Sequence, residues 1–175
     1  ENKEYTSSLQ GLEKARQEGK IIEGVVNLCD SQTLAMHIDL YGVHGIIERD
    51  EALFGTAVKD IAIITRVGKP VAFKVMQIIK DENGEPLAIL SRKEAQRECI
   101  NNYLMDLIPG DLIPAKITHF EPFGAFLDVG CGVSSLMTID SISVSRISNP
   151  QERFDLRQEL KVIVKSIDYD EKRLY

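Results

Sequence analysis

Short runs rich in valine and isoleucine, bounded by Gly, Asp, Asn and Pro, set the hydrophobic pattern of this chain. Runs of that length and composition predict strands joined by turns. They fall near 21–29, 33–40, 44–48, 70–80 and 87–91, and again near 111–119, 124–130, 134–139 and 160–168. Asp81-Glu82-Asn83-Gly84 is a hairpin signal, and Asp170-Glu171-Lys172 is its counterpart later in the chain. Only two stretches have helical spacing. Leu9, Leu12 and Ala15 share one face of a helix over about 8–18, which Ser7 or Ser8 caps and Gly19 ends. Residues 92–107 form an amphipathic helix through Ala95, Cys99, Ile100, Tyr103, Leu104 and Leu107, stopped by Pro109-Gly110.

The strand pattern occurs twice. Gly19 to Val26 recurs in outline as Gly110 to Ile117, Val43 to Asp50 as Val133 to Asp140, and Val71 to Ile78 as Lys161 to Ile167, each about ninety positions on. Three blocks in one order at one period indicate two homologous units. The chain then reads as an N-terminal helix (1–18), a first unit (19–91), a linker helix (92–109) and a second unit (110–175). Short helical turns are expected between the third and fourth strands, over 50–68 and 140–157. Five strands with an irregular insertion after the third is the OB-fold arrangement. The predicted fold is therefore mainly β: two tandem five-stranded OB-fold barrels joined by an amphipathic helix. The last strand of the second barrel has barely begun at Tyr175, so further sequence is expected after it.

Composition adds constraints. The 43% hydrophobic content suffices for packed cores, and no apolar run approaches the ~18 residues of a membrane span. Three widely spaced cysteines, Cys29, Cys99 and Cys131, argue against a disulfide framework or zinc ribbon and fit a reducing cytoplasm. The net charge of −6 is adverse to nucleic acid. An RNA site on this chain would be a local basic strip that relies on stacking as much as on charge.

One stretch carries chemistry. In Phe120-Glu121-Pro122-Phe123-Gly124-Ala125-Phe126-Leu127-Asp128-Val129-Gly130, inward Ala125, Leu127 and Val129 leave Phe126 and Asp128 outward. Phe123 stands in the turn just before. Two outward phenyl rings at a strand entrance are costly unless covered. Bases cover them well, each stack contributing ~1–3 kcal/mol whatever the sequence; folding of the rings over the barrel end is the competing reading.

Gly110 to Ile117, the Phe-Gly-Ala-Phe block at 123–126, Leu136 to Ile139, Val164 to Asp168 and the basic Lys172-Arg173 together resemble the RNA-binding domain named for bacterial ribosomal protein S-one. The resemblance covers about 110–175. It implies an RNA face made by Phe123, Phe126, Asp168 and Arg173. The family's third-strand histidine falls on Thr138, which can donate a hydrogen bond but cannot stack. His119 is a candidate to compensate, against a plain surface role. Lys116, Lys161 and Lys165 are candidates to line the strip, the last two on one strand face. The first unit resembles the family more faintly and has Asp30 to Met36 where the second has its aromatic block.

The resemblance implies a cytoplasmic, ribosomal protein S-one-like protein. It would bind single-stranded RNA such as mRNA in translation or RNA metabolism, with the small ribosomal subunit as a further candidate partner and no membrane. The rival is a protein-interaction module docking on a ribosome or a nuclease. No nucleophile–base pair or metal-ligand spacing stands out: Cys29, His37, Asp39 and His44 lack a supporting motif, so no enzyme, cofactor or metal is expected.

Overall fold

Ser8 starts the first long helix. Its side chain accepts the Gly11 N–H at 3.0 Å, and Gly19, left-handed at φ 64°, closes the far end. This helix (α2, Leu9–Glu18) agrees with the sequence pattern. A shorter one precedes it (α1, Asn2–Thr6) and was not legible, because five residues are too few to show a period. Asn2 holds α1 in place: its Oδ1 accepts the Glu23 N–H at 2.7 Å while its Nδ2 donates to the Glu23 carbonyl at 3.1 Å.

The computed structural model describes residues 2–55, 59–138, 159–169 and 173–175. It divides into two units, 1–97 and 98–175. In the first, β1 (Ile21–Val25), β2 (Leu28–Cys29), β3 (Met36–Leu40), β4 (Val43–Ile47), β5 (Pro70–Lys80) and β6 (Pro86–Ser91) make one sheet in the order β1-β5-β6-β4-β3-β2. The single strand predicted at 21–29 is split between two partners. Val26 N–H donates to Lys69 O and Asn27 N–H to His37 O, so β1 runs along β5 and β2 along β3. The outermost strands of the sheet are thus consecutive in the chain, and the sheet curls into a six-stranded half-barrel. Phe73, Met36, Ile38, Ile47 and Leu90 fill it, with Leu12 of α2 in the same core.

Polar side chains decide where these strands begin. The strand expected from residue 33 begins at Met36, because Asp30 Oδ1 accepts the N–H groups of Gln32 and Thr33 and Leu34 turns left-handed. Asp81 does the same for the predicted hairpin, accepting from Asn83 and Glu85 N–H. A 3-10 turn (Arg49–Glu51) and α3 (Asp60–Ile64) are the helical turns expected in 50–68. Those expected in 140–157, and the turn at 170–172, lie outside the described residues.

Ser91 ends β6 and caps the next helix, its Oγ accepting the Glu94 N–H at 3.0 Å. That helix (α4, Arg92–Asn102) is shorter than the predicted 92–107: Tyr103 leaves helical backbone at φ −132°, and Leu104–Asp106 is a 3-10 turn.

In the second unit β7 (Leu112–Glu121), β8 (Gly124–Asp128), β9 (Ser134–Thr138) and β10 (Glu159–Ile163) form an antiparallel sheet ordered β10-β7-β8-β9. Ile113, Ala115, Ile117, Ala125, Leu127 and Val129 are buried, as the alternation requires. The strand predicted over 160–168 breaks at 164–166. There Val164 N–H turns to Asp111 O and Lys165 N–H to Tyr175 O, and β11 (Ile167–Asp168) pairs instead with β12 (Arg173–Leu174). Where the sequence predicts a five-stranded barrel, the described residues make a four-stranded sheet and a two-stranded ladder.

Candidate nucleic-acid interface

The outward side of β7 and β8 is organised by a β-bulge. Ile117 stands opposite Leu127, but His119 stands opposite Phe126, so Thr118 is an extra residue. In an unbroken strand His119 would share the inward face of Ile117; the bulge turns it outward, beside Phe126. The disturbed ladder is repaired locally: Thr118 Oγ1 donates to the Phe126 carbonyl at 3.2 Å.

Three rings meet as a result. His119 lies roughly parallel to Phe126, with ring centroids 6.1 Å apart and planes at 25°. Phe123, in the turn between β7 and β8, meets Phe126 edge to face at 6.2 Å and 90°. Both geometries are favourable for aromatic pairs. Phe126 is half-buried within the cluster, whereas Phe123 is 52% exposed. Neither ring is folded into the core. His119 is fixed further by Glu121, whose Oε1 lies 2.6 Å from its Nε2.

The turn that carries Phe123 depends on Gly124. A Cβ there would sit 2.3 Å from the Met137 carbonyl oxygen and 3.0 Å from the Thr138 Cα. Only glycine lets β9 approach this closely. Thr138 stands opposite Gly124 at the end of β9, half-buried, and Leu136 completes the row His119–Phe126–Leu136 across the sheet. Sequence reasoning missed Leu136, Glu121 and Thr118. Two of them were signalled by spacing, His119-x-Glu121 on one strand and Leu136-x-Thr138 on another.

The lysines are placed differently. Lys116 stands opposite Asp128 and Glu159 in the neighbouring row, with its Nζ 3.7 Å from Glu159 Oε1. Asp128 in turn accepts the N–H groups of Gly130 and Gly132. In that row, Glu159–Lys116–Asp128–Ser134, the one cation is flanked by two carboxylates. Lys161 is exposed, opposite Pro114 and further from the rings. Lys165 does not share its strand face as predicted, because β10 ends at Ile163 and Lys165 belongs to the break that follows. Asp168 and Arg173 are direct cross-strand partners in the β11–β12 ladder. The Ser135 hydroxyl, donating to Leu174 O, ties β12 to β9.

The first unit has the same row with other residues: Leu28, His37 and Ile46 stand opposite one another on β2, β3 and β4. His37 occupies the place of Phe126. Its Nδ1 lies 2.9 Å from His44 Nε2 and the ring centroids are 4.9 Å apart. Burial, followed by the neighbouring His44 charge, pushes the His37 pKa down from 6.5.

Residues 106–175 match the family model described as S1 RNA binding domain. The second unit is an S1 RNA-binding domain. The chain is 33% identical over 111 residues to the small ribosomal subunit protein bS1 of Staphylococcus aureus, covering 61% of this chain and 27% of that one. Against bS1 of Streptococcus pneumoniae the identity is 26% over 156 residues, 89% of this chain and 38% of that one. A 4-hydroxy-3-methylbut-2-enyl diphosphate reductase of Clostridium acetobutylicum is 25% identical over 158 residues, 90% of this chain and 24% of that one. The chain thus spans 24% to 38% of the length of these relatives. Nucleic-acid binding through the S1 domain is the function these matches carry.

Proposed function

We propose that the S1 domain holds single-stranded RNA on the outward face of β7 and β8, with bases stacked on Phe123 and Phe126 and with His119 extending the platform. The observation that carries this reading is the contiguous His119–Phe126–Phe123 cluster, half-exposed on a sheet whose other face is core. Stacking tolerates any base, so the domain is read as a non-selective binder of unpaired RNA such as mRNA. Thr138, Asp168 and Arg173 are assigned polar contacts to the RNA, with Lys161 and Lys165 as outlying cations. Lys116 has the weakest claim, being balanced by Glu159 and Asp128.

The first unit is read as an OB barrel that has lost its aromatic row. Two features support this: β1 and β2, outermost in the sheet, are one bent strand, and β4 pairs β6 in parallel while its other strand pairs are antiparallel. Its row has no phenylalanine, Leu28–His37–Ile46, and suits contact with protein, which makes the small ribosomal subunit a candidate partner and keeps docking as the second reading for this unit. Both units are taken to be binding modules of a cytoplasmic protein, not an enzyme.

Fluorescence anisotropy of a labelled single-stranded oligoribonucleotide tests the proposal, comparing the intact chain with Phe123→Ala/Phe126→Ala. Loss of binding with unchanged circular dichroism supports the ring platform. Equal binding by both proteins overturns it.

A further inference from the structure

The turn between β8 and β9 is drawn tight around one carboxylate. Asp128 Oδ1 accepts the Gly130 N–H at 2.9 Å and the Gly132 N–H at 3.0 Å, and Val133 N–H closes on Gly130 O at 2.8 Å. At its tip, between the two glycines, stands Cys131 with φ 53°. Left-handed backbone costs a residue with a side chain roughly 1–2 kcal/mol and is ordinarily left to Gly, Asn or Asp. Backbone preference therefore does not account for a cysteine there.

Its neighbour does. Cys99 of α4 is 9% exposed, and its sulfur packs against this turn: a Cβ on Gly130 would lie 2.8 Å from Cys99 Sγ. Glycine at 130 is what admits the sulfur. The Cys99 and Cys131 thiols are within hydrogen-bonding reach of each other. Cys131 is half-buried and borders a shallow cleft of about 300 Å³, lined also by Lys116, Asp128 and Glu159, through which a small reagent can approach. Cys29 belongs to the other unit.

We propose that Cys99 and Cys131 are a reversible dithiol–disulfide pair, oxidised by exchange with a low-molecular-weight disulfide such as oxidised glutathione. The accessible Cys131 reacts first. Hydrogen bonding to Cys131, and then burial, hold the Cys99 thiol far above the ordinary range, so Cys99 stays protonated and donates to the Cys131 thiolate. The thiolate attacks one sulfur of the small disulfide, whose S–S bond breaks; the released thiolate takes up a proton. With the Cys131 thiolate consumed, the hydrogen bond that held the Cys99 proton is gone. Cys99 gives that proton to solvent and attacks the Cys131 sulfur of the mixed disulfide, expelling the second small thiolate, which takes up a proton. Two protein thiols are oxidised and one small disulfide is reduced to two thiols. The new bond ties the end of α4 to the turn that follows the Phe126 strand.

The experiment uses the full chain with Cys29→Ala, incubated folded with excess oxidised glutathione and mapped by mass spectrometry without reduction. The expected product is a single cross-linked peptide pair joining Cys99 and Cys131, lighter by two hydrogens and reversed by dithiothreitol. Adding Cys99→Ser is expected to trap glutathione on Cys131, whereas adding Cys131→Ser leaves Cys99 unmodified while the protein is folded. A stable glutathione adduct on Cys131 with Cys99 intact overturns the proposal, as does absence of any reaction before unfolding.

Discussion

His119 and Phe126 are direct cross-strand partners with nearly parallel rings, and one extra residue, Thr118, makes them so. The bulge changes which side of β7 the histidine occupies, and with it the composition of the surface. Counting inward and outward positions by twos fails at a bulge, because the parity changes without any change in hydrophobicity.

This pairing gives the first expectation. If His119 is part of a stacking platform, His119→Ala should weaken oligoribonucleotide binding about fivefold, the lower end of what one lost base stack costs. His119→Phe should retain binding, since it keeps the ring and loses only the contact to Glu121. Equal affinity for all three proteins in an anisotropy titration would reduce His119 to a surface residue satisfied by Glu121.

Gly124 gives the second. Any side chain there runs into the backbone of Met137 and Thr138, which cannot yield as a flexible side chain would. Gly124→Ala should therefore destabilise the S1 domain by about 1–3 kcal/mol. It should also push β9 from β8 at the level of Phe123 and Thr138. Amide exchange offers a local readout: protection should fall along β8 and β9, with the curled sheet of the first unit unaffected. Uniform protection would mean that the close approach contributes little.

Lys116 separates the cations that contact phosphate from those that do not. Each phosphate neutralised on a single strand contributes about 0.7 to the slope of log affinity against log salt. With Glu159 and Asp128 as neighbours, Lys116→Ala should leave that slope almost unchanged. Lys161→Ala or Lys165→Ala should lower it if either reaches the backbone of the RNA. A full unit-contact drop for Lys116 would show that RNA displaces Glu159 from it.

Much of this architecture was legible in the sequence, and the failures share a cause. The Ser8 cap, the Asp81 hairpin and the inward alternation of Ala125, Leu127 and Val129 are local signals read within a few residues. The bend at Val26-Asn27 was not legible, because it follows from pairing with Lys69 and His37, which are distant in sequence. The break at 164–166 likewise answers Asp111 and Tyr175. The placement of Phe123 in the turn and of Phe126 on the outward face was legible because the Phe-Gly-Ala-Phe block concentrates them. His119 looked incidental because its partner is across a bulge.

The last expectation concerns the first unit, where His37 takes the position that Phe126 holds in the second. Burial and then His44 lower its pKa, while Asp30 opposes them weakly. The folded state thus favours neutral His37, and the unfolded chain binds the proton more tightly. Stability from this residue is complete above the ordinary value of 6.5 and is lost as the pH falls below it toward the depressed folded value. The thermal midpoint of the first unit should accordingly drop on acidification through that window. His37→Phe, which keeps a ring against His44 and removes the titration, should flatten the profile. Were the variant to show the same acid-side loss as the parent chain, the proton responsible would have to bind elsewhere in the unit.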